Sequence, residues 1–287
     1  MAQNTAIKGK KNRLAQTKDF WNKLPKPFFV LAPMANVTDS VFRKLFAKYG
    51  KPDVTWTEFV SADGLISPGR KNLLHDLVYS PKERPVIAQL FTGHPEAMEK
   101  AATLVAKLGF DGIDINMGCP DRAVEKQGGG AASMKDKKNS LAVLEAARTG
   151  VLQAKKKQAI PVSVKTRIGY NTVELEWIKL LLEQKLPALT VHLRTRKEMS
   201  DVPAHWEIMP EIVKLRNEIS PETLIIGNGD VVSLRDAKEK ALKYGCDGVM
   251  IGRGIFGKPW FFTGEEKTPE FRLKVLLEHT KLFEKTY

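Results

Sequence analysis

Cysteine is almost missing from this chain of 287 residues: there are two, Cys119 and Cys246, far apart in sequence. Two such thiols cannot build a disulfide framework or a metal cage, and each is expected to be reduced. Long apolar runs are missing as well. Charge and turn residues interrupt the hydrophobic residues everywhere, and no run approaches the roughly 20 apolar residues that a membrane span needs. The opening MAQNTAIKGKKNRLAQ is basic with no apolar stretch behind it, so it is not a secretory signal, and a cytosolic protein without membrane association is expected. Acidic residues are in deficit: 33 Asp and Glu stand against 46 Lys and Arg, a formal charge of +13. That excess favours a polyanionic partner, nucleic acid above all, over a basic surface that merely aids solubility. It is spread along the chain, with local clusters only in KGKKNR and in Lys155-Lys156-Lys157. Nothing in the sequence predicts a stable protein partner.

What is present is a recurrence of short, β-branched-rich apolar runs, each followed by turn residues and then a segment of helical periodicity. The runs are Phe28 to Met34, Thr55 to Ala62, Pro85 to Thr92, Gly112 to Cys119, Pro161 to Gly169, Ala188 to Thr195, Leu224 to Asp230 and Gly248 to Gly254. Helical stripes lie in Thr38 to Tyr49, Ala97 to Leu108, Ser140 to Ala154, Thr172 to Lys185, Glu207 to Ile219 and Ser233 to Tyr244. After the second run, Gly64, Pro68 and Gly69 break the helical pattern. Alternating strand and helix implies a parallel sheet with right-handed crossovers, and eight repeats favour a closed (β/α)8 TIM barrel. The expected division is a basic extension over residues 1–27, the barrel over 28–265, and the first helix of a truncated C-terminal helical domain over 266–287, opened by Thr268-Pro269-Glu270.

In such barrels chemistry sits at the carboxyl ends of the strands. Those ends carry Pro33-Met34-Ala35, Glu58 with Ser61, Gln89, Asn116 with Cys119, Lys165 with Arg167, His192 with Arg194, Asn228-Gly229-Asp230, and Gly252-Arg253. The last two groups occupy the loops after strands seven and eight, where barrels often bind phosphate through glycine-rich backbone. GRGIFG at 252–257 also matches a dinucleotide fingerprint, but the second strand and acidic residue which that fingerprint requires do not follow. Cys119, held by Pro120 ahead of Gly128-Gly129-Gly130, reads either as a buried hydrophobe or as a proton-transferring thiol; Lys165 and Arg167 on the next strand favour the second. Lys165 is either a Schiff-base nucleophile or a fixed positive charge, and spacing leaves both open. His192 has no second ligand near it in sequence, so no metal site is expected.

Seven motifs resemble the transfer RNA dihydrouridine synthase family, in order and spacing from about residue 28 to the end. They are L-A-P-M-A at 31–35, I-A-Q-L-F at 87–91, D-I-N-M-G-C-P at 114–120, V-K-T-R-I-G at 164–169, V-H-L-R-T-R at 191–196, I-G-N-G-D at 226–230 and I-G-R-G at 251–254. The resemblance implies an FMN-bound barrel that NADPH reduces. Pro33, Met34 and Ala35 would line the flavin ring; Gln89 and Lys165 would hydrogen-bond its polar edge and His192 would contact it; Asn228, Gly229, Asp230, Gly252 and Arg253 would hold its phosphate. It also selects the fixed-charge role for Lys165. Hydride would pass to C6 of a uracil in tRNA while Cys119 protonates C5, with Asn116, Arg167 and Arg194 contacting the uridine or its phosphates. The base must leave its stack to reach such a pocket.

Two departures stand out. Only the first helix of the family's C-terminal helical domain is present, and Lys197 to His205 lacks the glycine usual in that loop. The rival readings are an FMN barrel acting on a small molecule, an RNA-binding homologue without turnover, and a Schiff-base lyase using Lys165.

Overall fold

The computed structural model describes residues 20–154 and 159–287. The KGKKNR and Lys155-Lys156-Lys157 clusters therefore lie outside the described residues. Eight parallel strands form the sheet: β1 (Phe28–Leu31), β2 (Thr55–Ser61), β3 (Val86–Phe91), β4 (Gly112–Met117), β5 (Val162–Arg167), β6 (Ala188–His192), β7 (Leu224–Asn228) and β8 (Gly248–Ile251). Their order is β1-β8-β7-β6-β5-β4-β3-β2. A parallel bridge between Val30 and Val54, flanked by Asp53 N–H to Phe29 O at 2.9 Å, joins β1 to the approach of β2 and closes the barrel.

Most of the crossover helices have a local start or stop signal. In α1 (Ser40–Tyr49) the Asp39 side chain caps the Phe42 N–H at 2.8 Å. The short α2 (Ala62–Leu65) is followed by 3₁₀ turns over Pro68–Asn72 and Leu74–Leu77, where glycine and proline deny the backbone a longer helix. Next, α3 (Pro95–Leu108) starts on a proline and stops at Gly109, φ +91°. Beyond α4 (Arg122–Lys126), α5 (Lys137–Gln153) is capped by Asp136, and α6 (Leu175–Leu182) and α7 (Met209–Ile219) follow. Ser233 caps α8 (Leu234–Tyr244), and Thr268 caps α9 (Pro269–Thr286). No described helix is long and apolar enough to cross a membrane.

Apolar burial divides into two layers. Outside the barrel, strand residues such as Val60, Leu90, Ile113, Ile115 and Val191 pack against the helices together with Trp177, Ile178 and Leu181. Inside it, Phe28, Val30, Trp56, Ile87, Leu224, Ile226 and Met250 fill the lower half. Trp21 belongs to this inner cluster, with its ring 6.0 Å from that of Trp56. Phe20 and Leu24 pack against the same cluster, so the segment from residue 20 onward covers the lower end of the barrel beside Phe28 and Trp56. Helix α9 packs on α1 through Phe271 against Tyr49 and through a Glu278 carboxylate that takes Lys48 at 2.6 Å and Tyr49 at 2.5 Å.

Candidate active site

Side chains alternate along each strand, so the inward-facing set can be read layer by layer. One layer above the apolar fill, Gln89, Asp114 and Ser163 stand side by side, since β3 pairs Gln89 with Asp114 and β4 pairs Asp114 with Ser163. The next layer pairs Asn116 with Lys165. Asp114 is fully buried and accepts hydrogen bonds from Gln89 Nε2 at 2.7 Å and Ser163 Oγ at 2.5 Å. Burial pushes its carboxyl up to about 6, against those two donors and the Lys165 charge. Burial and the Arg167 charge bring Lys165 down to about 8, against Asp114. The Lys165 ammonium makes no hydrogen bond to any described residue, so it has donors to offer a ligand at the barrel mouth.

Past β4 the chain turns on Asn116, whose Oδ1 accepts the N–H groups of Gly118 at 3.1 Å and Cys119 at 2.9 Å. The Gly118 carbonyl is held from the other side by Arg167 Nε at 2.8 Å. The Cys119 carbonyl accepts the Ala131 N–H at 2.8 Å, an approach that requires glycine at 130: its φ is +58°, and a Cβ there would lie 2.5 Å from that oxygen. Cys119 is half-buried, and burial pushes its thiol up, with the Asp121 N–H and the charges of Lys165 and Arg167 pulling the other way. A thiol raised in this way is protonated at neutral pH, which suits a proton donor rather than a nucleophilic thiolate. Cys246, buried at the opposite end, is pushed up to about 11 by burial and lies far from this chemistry.

Two arginines organise the opposite wall. Arg167 Nη1 donates to the carbonyls of Thr195 and Met199, both at 2.9 Å. Arg194 reaches Val202 O at 2.6 Å, His192 Nε2 at 3.2 Å and Asp230 Oδ2 at 2.5 Å. Because guanidinium only donates, His192 Nε2 must accept, so the imidazole is neutral with its proton on Nδ1. Burial and the surrounding cations Lys165, Arg167, Arg194 and Arg253 hold its pKa well below the usual histidine range, in agreement. Asp230 is lowered: its burial is outweighed by the bonds from Arg194 and the Ala204 N–H. Asp230 has φ +47° and Gly229 φ +134°, a turn that brings the Gly229 Cα against His192 and Ala204. Arg253 is mostly exposed, with Nη2 3.6 Å from Asp230 Oδ1.

Most residues expected from the strand ends thus meet at one rim. Pro33 is buried and Met34 half-buried, while Ala35 is exposed in a loop that Thr38 fixes through Met34 N–H at 2.9 Å and Arg43 fixes through Thr38 O at 2.6 Å. Gly252 adjoins Met34 across the β1–β8 seam. Asn228 spends its amide on Met250 O at 2.8 Å. Asn116, Arg167 and Arg194, expected as substrate contacts, also bond to backbone and neighbouring side chains that shape the rim. Sequence reasoning passed over Asp114 and Ser163. The signal was available in Asp114, an acidic residue at an inward position of an apolar run, two before Asn116. Among the described residues no His, Cys, Asp and Glu cluster could hold a metal ion.

A family model described as dihydrouridine synthase matches residues 30–286. A probable tRNA-dihydrouridine synthase 2 of Bacillus subtilis (strain 168) is 44% identical over 269 residues, covering 93% of this chain and 80% of the relative. A probable tRNA-dihydrouridine synthase of Staphylococcus aureus (strain COL) is 43% identical over 273 residues, with 93% and 81% covered. Among solved structures, an old yellow enzyme homologue from Zymomonas mobilis superposes with a TM-score of 0.54 at 14% identity, covering 87% of this chain and 94% of that one. Morphinone reductase gives 0.56 at 13%, with 89% of each chain covered. At such identities these two bear on the fold alone.

Proposed function

The chain belongs to the dihydrouridine synthase family, and from that premise we propose how its residues reduce uridine in transfer RNA to 5,6-dihydrouridine. The cofactor in this proposal is FMN, with NADPH as reductant. When bound, FMN would supply hydride chemistry toward C6 of the base, with NADPH as the source of its electrons. The residues present fit such a group. Lys165 offers an enclosed cation with free donors, suited to the electron-rich edge of a flavin ring. In this proposal Pro33, Met34 and Ala35 line the flavin ring, with Met34 beside Gly252, and Gln89 and His192 meet it from the barrel side. At the end of β7 and β8, Asn228, Gly229, Asp230, Gly252 and Arg253 make a glycine-rich turn with one exposed guanidinium, suited to a terminal phosphate.

The observation that carries the mechanism is the half-buried thiol of Cys119 on the same rim as Lys165, where burial favours its protonated form. Cys119 delivers its proton to C5 of the uracil, completing addition across the C5–C6 bond, and regains one from solvent. Asn116 and Arg167 grip the Gly118–Cys119 peptide from its two sides, so that the sulfur is aimed before the base arrives. Arg194 keeps His192 neutral and draws the β6–α7 loop over the β7 end. In this scheme the three residues position the catalytic groups, and direct contact with the uridine is left to Arg167 Nη2. The target base is unstacked to enter, and the positive surface retains the rest of the RNA. Residues 266–287, docked on α1, begin a helical C-terminal region in the same proposal, and the whole acts in the cytoplasm without a stable protein partner.

The test is mass spectrometry of nucleosides from dihydrouridine-free tRNA incubated with the protein, FMN and NADPH. A uridine that gains two hydrogens, lost in Cys119→Ala, is the expected result. No gain from a flavin-loaded protein would overturn the RNA substrate and favour a small enone-like molecule.

A further inference from the structure

A continuous hydrogen-bond chain runs from the middle of the barrel to the Cys119 backbone. The buried Asp114 carboxylate accepts from Gln89 Nε2 at 2.7 Å, and Gln89 Oε1 accepts from Asn116 Nδ2 at 3.0 Å. Asn116 Oδ1 then accepts from the N–H groups of Gly118 and Cys119 at 3.1 and 2.9 Å. The direction of every link is determined by the two ends. Backbone N–H groups can only donate, and an ionised carboxylate can only accept. Two primary amides placed between them satisfy both ends in one orientation; reversing either would set N–H against N–H or oxygen against oxygen. Ser163 Oγ, bound to the other carboxylate oxygen at 2.5 Å, keeps the carboxylate plane from turning.

We infer that Asp114 is a positioning residue: it anchors a directional relay through Gln89 and Asn116 that aims the Cys119 backbone and thiol at the substrate. Asp114 touches neither cofactor nor base and acts through the two amides. Removing its acceptor leaves the Gln89 N–H group unpaired in the barrel and frees that amide to turn, and Asn116 then loses its fixed partner. The thiol stays in the chain but is no longer held in one place. This inference rests on Cys119 as the acid, although the first measurement below does not depend on turnover.

The flavin-loaded protein is treated with iodoacetamide, and Cys119 modification is followed by peptide mass spectrometry, with buried Cys246 as internal control. Steady-state rates on dihydrouridine-free tRNA are taken in parallel. In Asp114→Ala, alkylation of Cys119 should rise about fivefold and kcat fall about 10- to 100-fold, with KM for RNA held within roughly threefold, since a misaimed acid costs rate rather than binding. Asp114→Asn presents a carbonyl oxygen to Gln89 and an amide to Ser163, and should restore both quantities to within about threefold. An alanine variant with unchanged alkylation and kcat overturns the relay, and so does an asparagine variant as impaired as alanine. If the alanine variant does not fold, the near-isosteric asparagine variant decides alone: preserved alkylation supports the relay and accelerated alkylation overturns it. A protein whose alkylation responds as expected, but whose Cys119→Ala variant turns over normally, would keep the relay and remove the acid role.

Discussion

Replacing Arg167 by methionine keeps the apolar stem in the barrel wall and removes the guanidinium. Three hydrogen bonds disappear: Nε to Gly118 O at 2.8 Å, and Nη1 to Thr195 O and Met199 O at 2.9 Å each. Hydrogen bonds from a charged group contribute about 1.5–3 kcal/mol each, but these three share one side chain and are not additive. Arg167 also carries a burial cost, visible in a guanidinium brought down to about 10 by desolvation, and methionine relieves it. Taking the carbonyls left unpaired as the dominant loss gives a net destabilisation of about 3 kcal/mol. For a chain of this size each kcal/mol moves Tm by roughly 2–4 °C, so a fall of about 6–12 °C is expected in calorimetry of the flavin-loaded protein. Turnover should fall further than stability suggests, by about 100-fold, because the Gly118 peptide is then held from one side only. A Tm within about 2 °C of wild type together with a rate within threefold would refute the assignment of Arg167 to the Cys119 loop.

Cys119→Ala should retain flavin absorbance and lose at least about 100-fold in dihydrouridine formation, read by nucleoside mass spectrometry. Lys165 loses its charge as pH rises through about 8, so binding of an anionic ligand at the barrel mouth should weaken over that range. Titrating flavin affinity by fluorescence across pH 6 to 9 checks this, and Lys165→Met should flatten the alkaline limb. Gly229→Ala places a Cβ 2.6 Å from that of Ala204 at φ +134°; a loss of about 2 kcal/mol in denaturant unfolding is expected, along with weaker flavin retention. Transfer RNA binding by fluorescence anisotropy should weaken steeply with salt, log K falling against log salt with a slope of about −0.9 for each phosphate neutralised, and a flat salt response would contradict an electrostatic grip.

The alternation of apolar runs and stripes located all eight strands, because parallel barrel strands are buried on both faces and cannot hide among polar residues. Their C-terminal limits were less legible. The run 188–195 continues past His192, yet there Leu193 N–H bonds to Asn228 O and Arg194 N–H turns back to His192 O. Apolar composition does not reveal where a ladder ends. Cys119, Lys165 and His192 were legible as rim residues from position alone. What Arg167 and Arg194 hold was not, since their partners are backbone carbonyls of the β6–α7 loop at Thr195, Met199 and Val202, and every residue has a carbonyl. The role of Trp21 was hidden for a related reason: a short segment before the first strand has no periodicity to expose its inner face.

On β3 the interior changes character in a step of two residues, from Ile87 in the apolar fill to Gln89 in the hydrogen-bonded layer, a rise of about 7 Å. That step divides the barrel between two kinds of inheritance. Substitutions below it are judged by whether the molecule stands, and any well-fitting hydrocarbon passes. Those above it are judged by whether it works, since Gln89, Asp114 and Asn116 there are links in one hydrogen-bonded circuit. A lineage exploring new substrates can therefore redraw its upper residues on an unchanged foundation, and drift in the lower ones leaves the chemistry untouched.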